Sequence, residues 1–163
     1  MPERSPHNDY SEQELQQLTA INPADIRHKA MDLLARREHS RRELKQKLQK
    51  RFDDETLIDE QLDRLADQNL QSDSRFVESF VRQRGNRGYG PVRIREEARR
   101  KGLSDSEISI AFDILDFDWC ALAAEVISKK FGELPAQDIK EKARRTRFVQ
   151  YRGFKAEHYR ESI

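Results

Sequence analysis

The sequence predicts an all-α protein built of three tandem three-helix repeats. Three observations carry that prediction. Apolar residues recur along the 163-residue chain at a nearly fixed offset. The recurring segments have helical spacing and helix-capping residues. No alternating β-branched stretch stands out, and only five prolines and six glycines punctuate the chain. The charges keep the same rhythm. Residues 26–51 hold ten Lys/Arg against three Asp/Glu, and residues 52–74 hold one against eight. Residues 75–101 hold nine against three, residues 102–118 none against five, and residues 140–155 seven against one. The net charge of +1 hides these alternating blocks.

An offset of 50 superposes Ile26 on Phe76, Ala30 on Phe80, Leu44 on Ile94, Leu48 on Ala98, Ile58 on Ile108 and Leu65 on Leu115. A further offset of 51 takes Phe76 to Ile127, Phe80 to Phe131, Gly102 to Gly153 and Leu103 to Phe154. The repeats then span residues 22–70, 71–117 and 118–163. Residues 1–21 form a polar tail, expected to be flexible.

The elements follow in order. Asn22 caps the first helix and Pro23 takes its first position, with Ile26, Ala30, Leu33 and Leu34 on one face. Ser40 and Glu43 have capping-box spacing ahead of Leu44 and Leu48. Asp53, Asp54 and Glu55 open the third helix, where the helix dipole favours anions, and Leu57, Ile58, Leu62 and Leu65 continue it. The second repeat copies this plan. "SDSRFVESFVRQR" puts Phe76, Val77, Phe80 and Val81 on one face. Gly85, Gly88 and Gly90 turn the chain, Pro91 starts a helix, and Gly102 ends it in a left-handed cap. Ser104 and Glu107 form a second capping box before Ile108 and Ala111. The third repeat runs "DWCALAAEVISKKFG", then Pro135 into "QDIKEKARRTRFVQYRG", then "KAEHYRES".

Composition narrows the functional classes. Charged residues make up 37% and hydrophobic residues 36%, and the mean hydropathy is −0.98. Thin helical layers with charged outer faces fit these values better than one thick core. No apolar run approaches the roughly 20 residues of a membrane span, and the N-terminus lacks the apolar centre of a secretory signal. One cysteine allows no internal disulfide, so a cytoplasmic protein is expected. His7, His28, His39 and His158 make no metal-ligand spacing, and no cofactor or metal is expected. Cys120 has no base nearby in sequence and reads as a buried packing thiol. Trp119 reads as a core anchor between the second and third repeats. An enzyme is not expected.

The stretch "RGYGPVRIREEARRKG", residues 87–102, sets six basic side chains around a stiff turn and helix. The turn needs only helix-hairpin chemistry. The arginines leave three readings open: a solvated face neutralised by the acidic third helix of each repeat, a grip on nucleic acid, or a docking surface for protein. Arg93, Arg95, Arg99, Arg100 and Lys101 are expected to face solvent. Tyr89, between glycines, is expected to be partly exposed.

At this point the sequence resembles a known family, the RecX regulators of the RecA recombinase. The residues that carry the resemblance are Asp73, Phe76, Val77, Arg82, Gly85, Gly88, Gly90, Arg93, Ile94, Lys101, Gly102 and Leu103. "REHSRRELKQKL", "DFDWCALA" and "RFVQYRGF" resemble the flanking repeats, so the match spans about residues 25–160. Ala98 departs from the leucine usual in that signature and implies locally smaller packing. The resemblance implies an elongated, curved array that is not an enzyme. It implies binding of RecA filaments on single-stranded DNA in their helical groove, with suppression of recombinase, ATPase and coprotease activities, and direct DNA binding in some members. DNA repair by homologous recombination and the SOS response are the expected setting, and a monomer the expected state. On that reading Arg82, Arg87, Tyr89, Arg93, Arg99 and Lys101 form a central contact surface. Arg144, Arg145 and Arg147 belong to a second, within residues 140–152. The alternative is a helical protein that acts directly on single-stranded DNA, with affinity falling steeply with salt.

Overall fold

Helix starts set the architecture. The computed structural model describes residues 11–163. In it α1 (Glu12–Thr19) precedes three triplets. The first is α2 (Pro23–Arg36), α3 (Arg41–Gln49) and α4 (Glu55–Asp67). The second is α5 (Asp73–Asn86), α6 (Pro91–Arg100) and α7 (Asp105–Leu115). The third is α8 (Trp119–Phe131), α9 (Ile139–Tyr151) and α10 (Ala156–Tyr159). No strand occurs among the described residues. Asn22 accepts the Ala24 amide at the start of α2. Ser40 and Ser104 accept the amides of Glu43 and Glu107, whose carboxylates reach back to the serine amides. Asp54, Ser72, Asp118 and Asp138 cap α4, α5, α8 and α9 from one side.

The expected tail differs in part. Residues 1–10 lie outside the described residues. Glu12–Thr19 is helical, because Ser11 and Glu14 form a complete capping box. The S-x-x-E spacing of Ser11 and Glu14 marks this helix start in the sequence.

Each triplet buries its own core. Ile26, Leu44, Leu48, Ile58, Leu62 and Leu65 are wholly buried among α2, α3 and α4. Val81, Ile94, Ala98 and Ile108 are wholly buried in the second triplet, beside Phe76. Ala123, Ile127, Val149, Phe154 and Tyr159 form the third core. Each large aliphatic side chain so buried contributes about 1.5–3 kcal/mol. Helix pairs in extensive contact all belong to one triplet. The molecule is therefore an elongated series of three small cores, not one globule. Trp119 packs against both the second and third cores, meeting Phe112 and Phe117 with ring centroids 5.6 and 5.0 Å away.

Consecutive triplets meet by one relation used twice. At the first junction the Ser40 hydroxyl, at the N-cap of α3, donates to the Lys101 carbonyl at the end of α6 (2.8 Å). At the second the Gly90 amide, at the N-cap of α6, donates to the Arg152 carbonyl at the end of α9 (2.8 Å). Ser40 and Gly90 are related by the offset of 50, Lys101 and Arg152 by that of 51. Gly102 and Gly153 follow those carbonyls with φ of +88° and +93°. They press on Arg42 and Arg93 respectively, and a Cβ at Gly153 would overlap the Arg93 backbone. Gly85, read from sequence as part of the turn, lies in the last turn of α5. Its missing side chain makes room for Phe117, whose Cζ would be 2.5 Å from a Cβ there.

Candidate partner-binding surface

Three of the six central residues converge on the second junction. Tyr89 is half-buried and ringed by arginines. Arg84 and Arg93 each lie 4.4 Å from its ring centroid, and Arg152 lies 5.1 Å away. Such contacts contribute about 0.5–2 kcal/mol each. The Arg93 Nε donates to Glu97 (3.1 Å), and its Nη1 donates to the Tyr151 carbonyl (3.4 Å). Glu97 also takes two hydrogen bonds from Arg84, both 2.7 Å. Burial pushes the Glu97 carboxyl up, but hydrogen bonds from Arg84 and Arg93 outweigh it and hold the pKa below the usual value. Arg87 stands at the end of α5, exposed, with no ion pair among the described residues.

The other three lie elsewhere. Arg82 is exposed and pairs with Glu78 at 2.8 Å. Arg99 donates to Asp105 at 2.7 Å, and that bond lowers the Asp105 pKa. Lys101 reaches back to the first triplet and meets Glu43 at 2.6 Å. Arg93, Arg95 and Lys101 are thus half-buried, not solvent-facing, because carboxylates and aromatic rings hold them down. Arg100 is exposed. The acidic third helix does neutralise part of its basic neighbour: Arg41 pairs with Asp63 (2.7 Å), and Lys45 with Glu55 (2.8 Å).

On α9, Arg144 and Arg147 face outward. Arg144 lies 5.2 Å from the Phe131 ring centroid, and Arg147 has no ion pair among the described residues. Arg145 does not join them. It sits one turn before the buried Val149, on the core face, with its side chain 4% exposed. Its Nη1 donates to the Leu134 carbonyl (2.8 Å) and its Nη2 to Glu141 (2.7 Å). Cys120 is also corrected: it is exposed, with Sγ 3.8 Å from the Glu157 carbonyl. By helical spacing it shares a face with the buried Ala123 and Ile127, but it lies in the first turn of α8, where that face is left uncovered.

The first junction is charged and polar. Burial pushes the Glu43 carboxyl up, but Arg37 and Lys101 donate to it and hold its pKa at about 2. His39, 2% exposed, sits with Nδ1 3.0 Å from the Arg37 carbonyl and Nε2 3.2 Å from the Lys47 ammonium. Burial first, then the Arg37 and Lys47 charges, lower its pKa. Gln71 donates to the His39 carbonyl, and Asp73 accepts the Arg41 amide. A cleft of about 680 Å³ opens beside this junction, with Lys47, Lys50, Arg100 and Lys101 on its walls.

Sequence reasoning missed Arg84, Lys129 and Lys130, and took in Arg152 only as the last residue of the 140–152 stretch. The junction role of Arg152 had a signal: it stands to Gly153 as Lys101 stands to Gly102. Among the described residues no cluster could hold a metal ion, and no helix is long and apolar enough to cross a membrane.

Comparison with known proteins covers the three triplets. Family models described as the first, second and third three-helix domains of RecX match residues 27–65, 72–111 and 117–161. A regulatory protein RecX from Pseudomonas entomophila (strain L48) is 47% identical over 135 residues, covering 83% of this chain and 87% of that protein. One from Pseudomonas savastanoi pv. phaseolicola is 49% identical over 133 residues, covering 81% and 85%. The crystal structure of RecX from Lactobacillus salivarius superposes with a TM-score of 0.71 at 22% identity, covering 86% of this chain and 94% of that one. A crystal structure of regulatory protein RecX gives 0.70 at 22% identity, covering 95% and 78%. These two structures bear on the fold.

Proposed function

The chain belongs to the RecX family, and from that premise we propose that it regulates the RecA recombinase by lodging in the helical groove of RecA filaments on single-stranded DNA. Bound there, it suppresses recombinase, ATPase and coprotease activity without being an enzyme itself. It works in the cytoplasm, as a monomer. The observation that carries this reading is the cationic and aromatic cluster at the second junction, where Arg87, Tyr89, Arg93, Tyr151 and Arg152 meet. Tyr151 is 76% exposed there, and Arg87 is exposed without a counter-ion among the described residues. Arg144 and Arg147 extend the charge along α9.

The physics is differential binding. An elongated array can touch more than one protomer of a long polymer, and clustered cations set its register and speed encounter. It then stabilises whichever filament state it fits better, and only that difference in affinity shifts the filament. Arg93 and Tyr89 also hold the junction, so the cleaner probe is Arg87→Ala with Arg147→Ala. This variant should keep its helical content and lose about tenfold in apparent affinity for preformed RecA filaments, read from filament ATPase inhibition. Unchanged inhibition by the folded variant would reject this surface. Inhibition that requires coverage of free DNA, with no association to intact filaments, would replace the reading with direct action on single strands.

A further inference from the structure

The repeat relates two pockets, one at each junction. The first, of about 500 Å³, is lined by Arg37, Phe80, Glu97 and Lys101. The second, of about 310 Å³, is lined by Arg87, Leu122, Val126, Lys130, Phe148 and Arg152. The offset of 50 maps Arg37 onto Arg87, and the offset of 51 maps Lys101 onto Arg152. At the first junction a carboxylate bridges the two cations: Glu43 lies 3.1 Å from the Arg37 Nη1 and 2.6 Å from the Lys101 Nζ.

The second junction keeps both cations and lacks that carboxylate. Glu43 is the third residue of α3, and the third residue of α6 is Arg93, whose guanidinium turns to Glu97 and Tyr151. The counterpart of Glu97 is Phe148. Among the described residues Arg87, Lys130 and Arg152 have no ion pair, and Arg152 donates only to the Arg87 carbonyl (3.1 Å). Glu125, the one carboxylate on the wall, is paired with Lys129. Leu122, Val126 and Phe148 make a half-buried apolar floor.

We propose that this second pocket receives an aspartate or glutamate side chain of a protein partner, with an aliphatic side chain beside it. The ligand's carboxylate takes the place that Glu43 holds one triplet earlier. Desolvated guanidinium–carboxylate contact supplies the selectivity, and the apolar floor supplies the second anchor. Arg152 and Lys130 already lie over the Phe148 ring, and Phe131 meets it edge-on, so the floor suits an aliphatic group better than a stacked base. The proposal rests on the RecA reading only for the identity of the partner.

The test uses the full chain and three probes: a short blocked peptide of leucine and glutamate, its leucine–glutamine counterpart, and an oligothymidylate. Backbone amide shifts are followed by NMR. The glutamate peptide should saturably shift the amides of Arg87, Val126 and Phe148, and the glutamine peptide should bind about tenfold more weakly or worse. Arg87→Ala with Lys130→Ala should remove those shifts and leave the helical circular dichroism unchanged, since both side chains are exposed and neither has an ion pair among the described residues. Equal binding of the two peptides, no shift with either, or occupancy by the oligothymidylate alone would overturn the proposal. Failure of the wild-type chain to act on RecA filaments would sink the functional reading and leave the peptide result standing.

Discussion

The first junction is tied through side chains, the second through main-chain hydrogen bonds as well. Ser40, Glu43, Gln71 and Lys101 hold the first through a hydroxyl, a carboxylate, an amide and an ammonium. Gly90, Val92 and Gly153 hold the second through main-chain amides and carbonyls, at 2.8 and 3.1 Å. The relation between triplets is the same in both. The docking geometry thus belongs to the repeat, while its chemistry is free to vary. The difference also decides which charges are neutralised: Arg37 and Lys101 share Glu43 at the first junction, and their counterparts Arg87 and Arg152 meet no carboxylate at the second.

The comparison can be broken most severely at Gly153. Gly153→Ala forces a side chain into the Arg93 backbone at a φ of +93°. We expect a loss of about 3 kcal/mol or more, read from urea unfolding, with amide exchange speeding up across α9 first. An unaltered midpoint would show that the close backbone approach is not needed.

Acid separates the junctions next. The Glu43 pKa falls from 4.5 unfolded to about 2 folded. The unfolded chain therefore binds a proton that the folded chain refuses between those values. Stabilisation is whole above pH 4.5 and is lost as pH falls toward 2, to the extent of about 3 kcal/mol. The lowered pKa of His39 begins the same trend earlier, as pH falls below 6.5. Backbone bonds at the second junction do not titrate. Stability measured against pH should show this acid limb in the wild-type chain and a flattened one in Glu43→Gln.

The smallest effect sharpens the parallel. Ser40→Ala removes both the N-cap of α3 and the bond to the Lys101 carbonyl, at a cost of about 1–2 kcal/mol. A loss below a few tenths of a kcal/mol in thermal unfolding would show that the hydroxyl is not the counterpart of the Gly90 amide.

Much of the fold was legible because helix starts and core faces are local. Asn22–Pro23, Ser40–Glu43 and Ser104–Glu107 name their caps directly, and the 50-residue offset finds the cores. The candidate surface was less legible, since exposure depends on helix rotation and on partners distant in sequence. Arg145 differs from Arg144 and Arg147 only by facing Leu134 and the third core. Lys101 and Glu43, 58 residues apart, form a pair that no local pattern announces. Arg152 fell inside the 140–152 stretch, but its place at the junction is written in the repeat, not in its neighbours.

Trp119 has a practical consequence. It is the chain's sole tryptophan and is wedged where the second and third cores meet, among Phe112 and Phe117. Intrinsic fluorescence is therefore a built-in optical gauge for one seam and is blind to the other. If denaturant parts the triplets one at a time, emission and circular dichroism will yield different midpoints, and if the stack melts as a unit the two curves will coincide.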